Sequence, residues 1–186
     1  MQKLKNSQLN RIGTEVFKAA DKLPVVIVLD NVRSALNVGS VFRTADAFLV
    51  KKIYLCGITA APPHKDILKT ALGATSTVAW EYAESTSGLL GELKKEGYRI
   101  FAVEQAVESI SLVQFNPFNS GDSPVAIVFG HEIDGVSDKA LDLCHGCIEV
   151  PQYGTKHSLN IAVCAGIVIW DIFMKYKSKS IASEPG

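Results

Sequence analysis

The fold is decided by two apolar runs that each end in a polar loop, VAIVFGHEIDG at 125–135 and IEVPQYGTKHSLNIAVCAG at 148–166. The first run ends in Gly130 and is followed by the carboxylate of Glu132, and the second ends in a proline. Continuous Val and Ile runs without polar alternation are typical of parallel strands covered on both faces. Open α/β sheets bind ligands at the carboxyl ends of such strands. We therefore expect a ligand site in these two loops.

The same strand pattern recurs along the chain and alternates with helical segments. Predicted strands lie at 24–30, 52–57, 98–105, 124–130 and 146–152, with a weaker candidate at 77–82. Apolar residues at helical spacing predict helices at 38–48, 87–95, 137–143 and 158–176. Asn37 is the expected N-cap of the first helix, and Ser158 or Asn160 that of the last. This order predicts one α/β domain with a mostly parallel sheet and helices on both faces.

The two ends of the chain differ from this core. Residues 8–21 predict an amphipathic helix, so that 1–23 form an N-terminal helical extension. Small, polar, Pro and Gly residues predict a flexible C-terminal tail at 178–186. The α/β domain is therefore expected to span 24–177.

Composition bounds the class of protein. Lys plus Arg and Asp plus Glu number 19 each, so the net charge is zero and any nucleic-acid surface must be a local patch. The N-terminal residues lack the apolar segment of a signal peptide. The longest apolar stretch, 161–174, is interrupted by Asp171 and is shorter than the roughly 20 residues that a membrane span needs. A cytoplasmic protein without a membrane segment is expected.

The cysteines give a weak signal. Cys144 and Cys147 have the C-x-x-C spacing of redox sites and of half a zinc site. A second pair that would complete a structural zinc site is missing from the sequence. Reduced structural thiols and no bound metal are therefore expected.

Two further groups of polar residues follow predicted strands. Arg43 lies on the polar side of the helix at 38–48. One interpretation is that this side simply faces solvent and that Arg43 pairs with Asp46, three residues later. Because the helix follows a buried strand, the Arg43 guanidinium can instead hold a phosphate or a ribose oxygen at the sheet edge. Ser158 and Asn160 open the last helix, where free N–H groups can bind an anion or simply be capped.

Several familiar enzyme motifs are missing from the sequence. It contains no G-x-x-x-x-G-K-[ST] phosphate loop, no G-x-G-x-x-G after the first strand and no H-E-x-x-H. A G-x-S-x-G nucleophile elbow is also missing. The sequence therefore does not match P-loop, dinucleotide-binding, zinc-protease or serine-hydrolase signatures.

Three blocks together resemble a known family. They are NVGSVFRTADAF at 37–48, IVFGHEIDG at 127–135 and VPQYGTKHSLNIAV at 150–163. In this order and at this spacing they resemble the SpoU (TrmH-like) RNA 2′-O-ribose methyltransferases of the SPOUT superfamily, over roughly 24–175. The resemblance implies a Rossmann-like N-terminal half and a C-terminal trefoil knot, a feature too rare to be predicted from periodicity.

The resemblance also implies a cofactor and a set of site residues. The loops of the knot are expected to hold S-adenosylmethionine in a pocket lined by Gly130, Val150 and Leu159, joined by Glu104. The positions that match the family's catalytic site are Asn37, Arg43, Glu132, Ser158 and Asn160. Because an Arg pKa above about 12 makes a neutral guanidinium scarce, we expect Arg43 to clamp a phosphate and polarise the 2′-oxygen rather than to act as the base.

The function implied is a cytoplasmic, homodimeric, S-adenosylmethionine-dependent enzyme that methylates the ribose 2′-hydroxyl of tRNA or rRNA, with its methyltransferase domain at 24–177. The apolar helix at 158–176 fits a dimer interface or a helix buried within one subunit. Two other functions stay open. One is an RNA-binding protein of the same fold without catalysis, and the other is an α/β enzyme that binds NAD or ATP.

Overall fold

A parallel sheet of seven strands forms the centre of the computed structural model, which describes residues 1, 3–5, 8–9, 11–119 and 123–182. The strands are β1 Leu23–Asp30, β2 Val50–Cys56, β3 Trp80–Ala83, β4 Arg99–Val103, β5 Ile110–Ser111, β6 Val125–Phe129 and β7 Gly146–Glu149. The helices are α1 Thr14–Ala19, α2 Ala35–Ala47, α3 Lys65–Ala71, α4 Thr86–Lys95, α5 Asp138–Leu141 and α6 Ile161–Ala182. The strand order is β3-β2-β1-β6-β4-β7-β5, and each neighbouring pair is parallel.

Strand β1 shows why helices cover both faces of the sheet. Val25, Ile27 and Leu29 belong to an apolar cluster that includes residues of α2 and α6. Val26 and Val28 point to the opposite face and pack in a cluster with residues of α4 and α5. All five side chains are at most 1% exposed. Burial on both faces explains the unbroken apolar run and confirms the predicted α/β architecture.

The helix starts confirm one predicted cap and correct another. Asn160 caps α6, since its Oδ1 accepts from the Ala162 N–H at 2.9 Å. The prediction that Asn37 caps the first long helix is wrong, because α2 begins at Ala35 and the Ser34 hydroxyl accepts from the Asn37 N–H at 3.4 Å. Both residue types cap well, and Ser34 comes first along the chain. The Asn37 side chain is thereby left for another role.

Other element boundaries also differ from the predictions. The helix predicted at 8–21 is limited to α1, preceded by an extended Gly13, and part of the predicted range lies outside the described residues. Helix α6 continues to Ala182, so the flexible tail predicted from 178 is helical up to that point, while 183–186 lie outside the described residues. Helix α3 and the two-residue strand β5 are elements that the sequence patterns did not predict.

The strand order brings the polar loops of the sequence together. Strand β6 lies between β1 and β4, and β7 follows β4, so the carboxyl ends of these four strands adjoin along one edge. Ligands bind at such an edge in open α/β sheets. The trefoil knot stays a prediction. None of the helices in the described ranges combines the length and apolar character needed for a membrane crossing.

Candidate active site

A cavity of about 410 Å³ opens at the carboxyl ends of β4, β6 and β7. Its size lies within the range of small-molecule sites, roughly 300–1,000 Å³. The loop after each of the three strands contributes to the wall, and α6 closes one side through Ile161 and Cys164. The cavity therefore lies where the two polar loops of the sequence predicted a ligand site.

Most of the predicted site residues lie in the wall of this cavity. Of the nine, seven line it: Glu104, Gly130, Glu132, Val150, Ser158, Leu159 and Asn160. Asn37 reaches the wall through hydrogen bonds, and Arg43 lies elsewhere. Sequence reasoning missed other lining residues, among them Glu149 and Gln152. Gln152 ends the strand predicted at 146–152, a signal that could have marked it, whereas Glu149 lies within that predicted range.

Glu132 joins the loop after β6 to the start of α2. Its carboxylate accepts hydrogen bonds from the backbone N–H groups of Arg33 and Ser34, at 2.9 and 3.0 Å. It also accepts from the Asn37 side-chain amide at 3.0 Å. Burial alone would raise the pKa of the Glu132 carboxyl, but the bonds from Arg33, Asn37 and Ser34 outweigh it and hold the pKa below its ordinary value. Glu132 is therefore an ionised anchor at neutral pH.

Asn37 and Asn160 extend this network across the three sequence blocks. The Asn37 Oδ1 accepts from the Asn160 Nδ2 at 3.2 Å, while the Asn37 Nδ2 donates to Glu132. Asn160 in turn caps α6 through its Oδ1. One chain of hydrogen bonds thus connects the loop after β6, the first turn of α2 and the first turn of α6. Ser158 lines the same cavity and is exposed.

The loop between β1 and α2 is fixed by buried polar groups that the sequence patterns did not reveal. The Thr59 hydroxyl accepts from the Val32 N–H at 2.9 Å and donates to the Leu29 carbonyl at 3.0 Å. Asp30, 1% exposed, accepts from the Thr86 hydroxyl and from the Ser137 N–H. These bonds hold the backbone N–H groups that Glu132 binds. Their partners lie far apart in sequence, which explains why no local motif marks them.

Gly130 is required by the tight turn after β6. A Cβ at this position would overlap the Gly135 carbonyl group and the Val136 nitrogen. The turn is closed by reciprocal backbone hydrogen bonds of 2.9 Å between His131 and Gly135. The Glu104 carboxylate braces it from β4 by accepting from the Val136 N–H at 3.2 Å. The backbone therefore reaches the cavity without a side chain in between.

The electrostatic character of the cavity is acidic. The carboxylates in its described wall belong to Glu104, Glu132, Asp134 and Glu149, and no Lys or Arg is among the lining residues that the structure describes. A low-dielectric cleft lined by one sign of charge concentrates ligands of the opposite sign. The cavity therefore favours a cationic ligand and disfavours a polyphosphate.

Arg43 lies outside this cavity within one chain. It is exposed on α2 and lines a second groove of about 500 Å³ between α2 and α3, together with Lys69 and Phe48. Asn37 and Arg43 share a helix, but six residues separate them by about 9 Å along the axis and turn them to different sides. The structure therefore brings together the predicted site residues except Arg43.

The C-x-x-C pair lies away from the cavity wall on the opposite face of the sheet. Both thiols are free, and the Cys144 Sγ donates to the Ala140 carbonyl at 3.2 Å. Burial raises the pKa of Cys144 to about 12 and raises that of Cys147. Neither thiol is poised as a thiolate at neutral pH. Within the described residues, no group of His, Cys, Asp and Glu has the arrangement of a metal site.

The sequence of this chain is similar to those of named RNA methyltransferases. A protein from Staphylococcus saprophyticus named as a putative TrmH family tRNA/rRNA methyltransferase is 28% identical, over 85% of this chain and 61% of its own length. The 23S rRNA (guanosine-2′-O-)-methyltransferase RlmB of Neisseria meningitidis serogroup B is 30% identical, over 83% of this chain and 60% of its own length. The chain thus spans about three fifths of the length of these curated relatives.

A solved structure extends the similarity to the whole fold. The crystal structure of the TrmH/SpoU tRNA modifying enzyme of Aquifex aeolicus superposes with a TM-score of 0.78 and is 26% identical. The match covers 93% of this chain and 85% of that one. The model of the SpoU rRNA Methylase family matches residues 24–170, which include all three sequence blocks and the whole cavity. This chain is a member of the SpoU rRNA Methylase family.

Proposed function

We propose that this protein is an S-adenosylmethionine-dependent RNA methyltransferase that modifies the ribose 2′-hydroxyl of tRNA or rRNA in the cytoplasm, with a methyltransferase domain at 24–177. The observation that carries the proposal is the acidic cavity bordered by the linked side chains of Glu132, Asn37 and Asn160. The Neisseria relative is named for guanosine 2′-O-methylation of rRNA, and the Aquifex protein for tRNA modification.

The cavity suits S-adenosylmethionine better than NAD or ATP. Its acidic wall complements a sulfonium cation and repels the phosphates of a nucleotide cofactor. Gly130, Val150 and Leu159 would hold the cofactor through backbone groups and apolar contacts, and Glu104 would add a carboxylate. S-adenosylmethionine, when bound, supplies a methyl group on a positively charged sulfur.

The polar side chains at the cavity edge position the acceptor ribose. The Asn37 amide already donates to Glu132 and accepts from Asn160. We therefore infer that the role of Asn37 is to orient the Asn160 side chain. The exposed Ser158 hydroxyl and the second N–H of the Asn160 amide are left to bind the ribose. Glu132 holds this arrangement as a positioning residue. Alignment of the acceptor oxygen with the methyl donor supplies much of the rate acceleration.

An exposed apolar stripe on α6 supports a homodimer. Val163, Ile167, Trp170 and Met174 follow one another at intervals of one helical turn and are between 39% and 53% exposed. A contiguous apolar face of this kind on a protein surface marks an interaction site. Most homodimers are two-fold symmetric, so the same stripe would contact itself across the axis.

The dimer supplies a place for Arg43. Helix α6 begins at the cavity, and just past its midpoint Phe173 contacts Phe48, with ring centroids 5.4 Å apart. Phe48 lines the groove that holds Arg43. If two α6 helices pack antiparallel, the Arg43 groove of one copy lies beside the cavity of the other. Arg43 would then clamp a phosphate next to the acceptor ribose and polarise the 2′-oxygen.

Calorimetry tests the cofactor assignment. We expect titration with S-adenosylmethionine to give saturable binding, and titration with NAD or ATP to give none under the same conditions. Transfer of labelled methyl groups to tRNA or rRNA then separates an enzyme from an RNA-binding protein of the same fold. Binding of NAD or ATP in place of S-adenosylmethionine would reject the proposal.

Variants of Arg43 test its role. Arg43→Ala should lose both RNA affinity and turnover, because the phosphate clamp is removed. Arg43→Lys should recover part of both, since Lys also holds a phosphate as a point charge. If Arg43→Lys restored turnover without restoring RNA affinity, Arg43 would be the base and the clamp would be rejected.

A further inference from the structure

The groove between α2 and α3 has the opposite electrostatic character to the cavity. Its lining residues are Ser40, Arg43, Thr44, Ala47, Phe48, Lys69 and Thr70. Two are cationic, three carry hydroxyl groups, and no carboxylate is among the lining residues that the structure describes. The acidic cavity and this basic groove thus divide the surface near α2 into a site for a cation and a site for an anion.

The two helices that form the groove, α2 and α3, pack closely against each other. Gly39 of α2 has no room for a side chain, since a Cβ would overlap the Thr70 hydroxyl and the Ile67 carbonyl oxygen. The Thr70 hydroxyl also donates to the Leu36 carbonyl at 2.9 Å, which ties α3 to the first turn of α2. The positions of Arg43 and Lys69 are therefore set by two helices whose separation is fixed.

The two cations of the groove are not neutralised within the chain. Lys52 and Lys175 form ion pairs with Glu81 and Asp171, each at 2.6 Å. In contrast, neither Arg43 nor Lys69 forms a hydrogen bond or an ion pair with the residues that the structure describes, and both are exposed. Two adjacent unpaired cations in a groove without carboxylates repel each other unless an anion lies between them.

We propose that this groove binds a backbone phosphate of the RNA, and that Lys69 is a further RNA-positioning residue beside Arg43. The inference rests on the proposed function and adds a residue and a phosphate subsite to it. Arg43 can form the bidentate contact with phosphate oxygens, Lys69 a point-charge contact, and the Thr44 hydroxyl a neutral one. Because the chain has no net charge, binding of a polyanion depends on local pairs of this kind.

Lys69→Ala and a matched control test this inference. Lys65 is exposed on the same helix but does not line the groove, so Lys65→Ala removes an equal charge nearby. The dissociation constant of a tRNA or rRNA substrate is measured for each full-length variant over a range of salt concentrations. Lys69→Ala should weaken binding about five-fold and lower the slope of log K against log salt by about 1. Lys65→Ala should stay within about two-fold of the unmodified protein.

Two further readouts separate an RNA contact from a structural role. Lys69→Arg should retain the RNA affinity, because the charge is kept. In Lys69→Ala the KM for RNA should rise while kcat at saturating RNA and the affinity for S-adenosylmethionine stay unchanged. The inference is overturned if Lys69→Ala binds RNA as the Lys65→Ala control does, or if it loses the cofactor as well. Failure of the unmodified protein to bind S-adenosylmethionine would instead reject the proposed function.

Discussion

Replacement of Glu132 by Gln tests whether this carboxylate holds the active-site loops together. In the folded protein its two oxygens accept from Arg33, Ser34 and Asn37 at 2.9–3.0 Å. The Gln side chain has nearly the same shape but only one acceptor oxygen. With that oxygen facing Ser34 and Asn37, the amide NH₂ faces the Arg33 N–H, and two donors meet. Glu132→Gln therefore loses one hydrogen bond and weakens two.

The size of the effect follows from the strength of these bonds. A hydrogen bond to a charged group contributes about 1.5–3 kcal/mol, and one between neutral groups about 0.5–1.5 kcal/mol. One lost and two weakened bonds, discounted because Glu132 is only partly buried, give about 2–3 kcal/mol of destabilisation. For a chain of this length that lowers the Tm by about 6 °C. Urea unfolding and thermal unfolding at pH 7 measure both quantities.

Asp134→Asn is the matched control for Glu132→Gln. Asp134 lies on the same loop and loses the same charge, but its side chain is 81% exposed and, among the residues that the structure describes, lies in polar contact only with the His131 ring. Its replacement should change the free energy of unfolding by no more than about 0.5 kcal/mol. If Glu132→Gln unfolds at the same urea concentration as Asp134→Asn, the anchoring role of Glu132 is refuted.

The pH dependence of the free energy of unfolding, compared between the unmodified protein and Glu132→Gln, gives a second check. Because the pKa of Glu132 is lowered by folding, its contribution is complete above the ordinary Glu pKa of about 4.3. The contribution is lost as the pH falls through the lowered folded pKa. The stability difference between the unmodified protein and Glu132→Gln should be constant from about pH 6 to 8 and shrink below about pH 4.

Three further predictions concern other parts of the molecule. Gly130→Ala should lower the Tm by at least about 5 °C in thermal unfolding, because a Cβ would overlap the Gly135 backbone. Trp170→Glu should convert the proposed homodimer to a monomer in sedimentation velocity without lowering the Tm by more than about 2 °C, since the side chain is half-exposed. Cys56 and Cys144, whose pKa values burial raises to about 12, should resist iodoacetamide at pH 8 until urea unfolds the protein.

The sequence was sufficient to predict the sheet because burial on both faces leaves a strong local signal. The apolar runs around Ile27 and Ile127 have almost no polar interruption, and both residues are fully buried. Loop positions at the carboxyl ends of strands then follow from parallel pairing alone. That is why the loop containing Gly130 and Glu132 was predicted as a ligand site, while the roles of these two residues were implied by the family resemblance.

The sequence did not predict contacts between residues that lie far apart along the chain. The bonds from Thr59 to Val32 and from Asp30 to Ser137 join residues 27 and 107 positions apart, and neither pair has a distinctive spacing. The residue pattern assigned Asn37 to the helix cap and the resemblance placed it in the site, but neither predicted that its side chain links Glu132 and Asn160. A residue type that suits two roles is assigned correctly only when the three-dimensional neighbours are known.

The surroundings of Arg43 in a dimer were also beyond what the sequence could predict. Its place beside a buried strand predicted a site residue, but in one chain it faces the groove with Lys69. Helical geometry turns Arg43 away from Asn37, and no pattern within a single sequence shows which surface a second copy would bring opposite it. The apolar helix at 158–176 was predicted either as a helix buried within one subunit or as a dimer interface. In the structure α6 buries Ala165, Val168 and Ile172 within the chain and exposes the apolar stripe that we propose as the interface.

Nucleoside analysis of methylated RNA tests the central claim most directly. The purified protein is incubated with S-adenosylmethionine and with tRNA and rRNA from cells that lack its gene, and the RNA is digested to nucleosides for mass spectrometry. The acidic cavity and the proposed ribose-binding residues predict a single new nucleoside that carries its methyl group on the 2′-oxygen. A methyl group on a base, or no methylation of either RNA by a protein that binds the cofactor, would contradict the account.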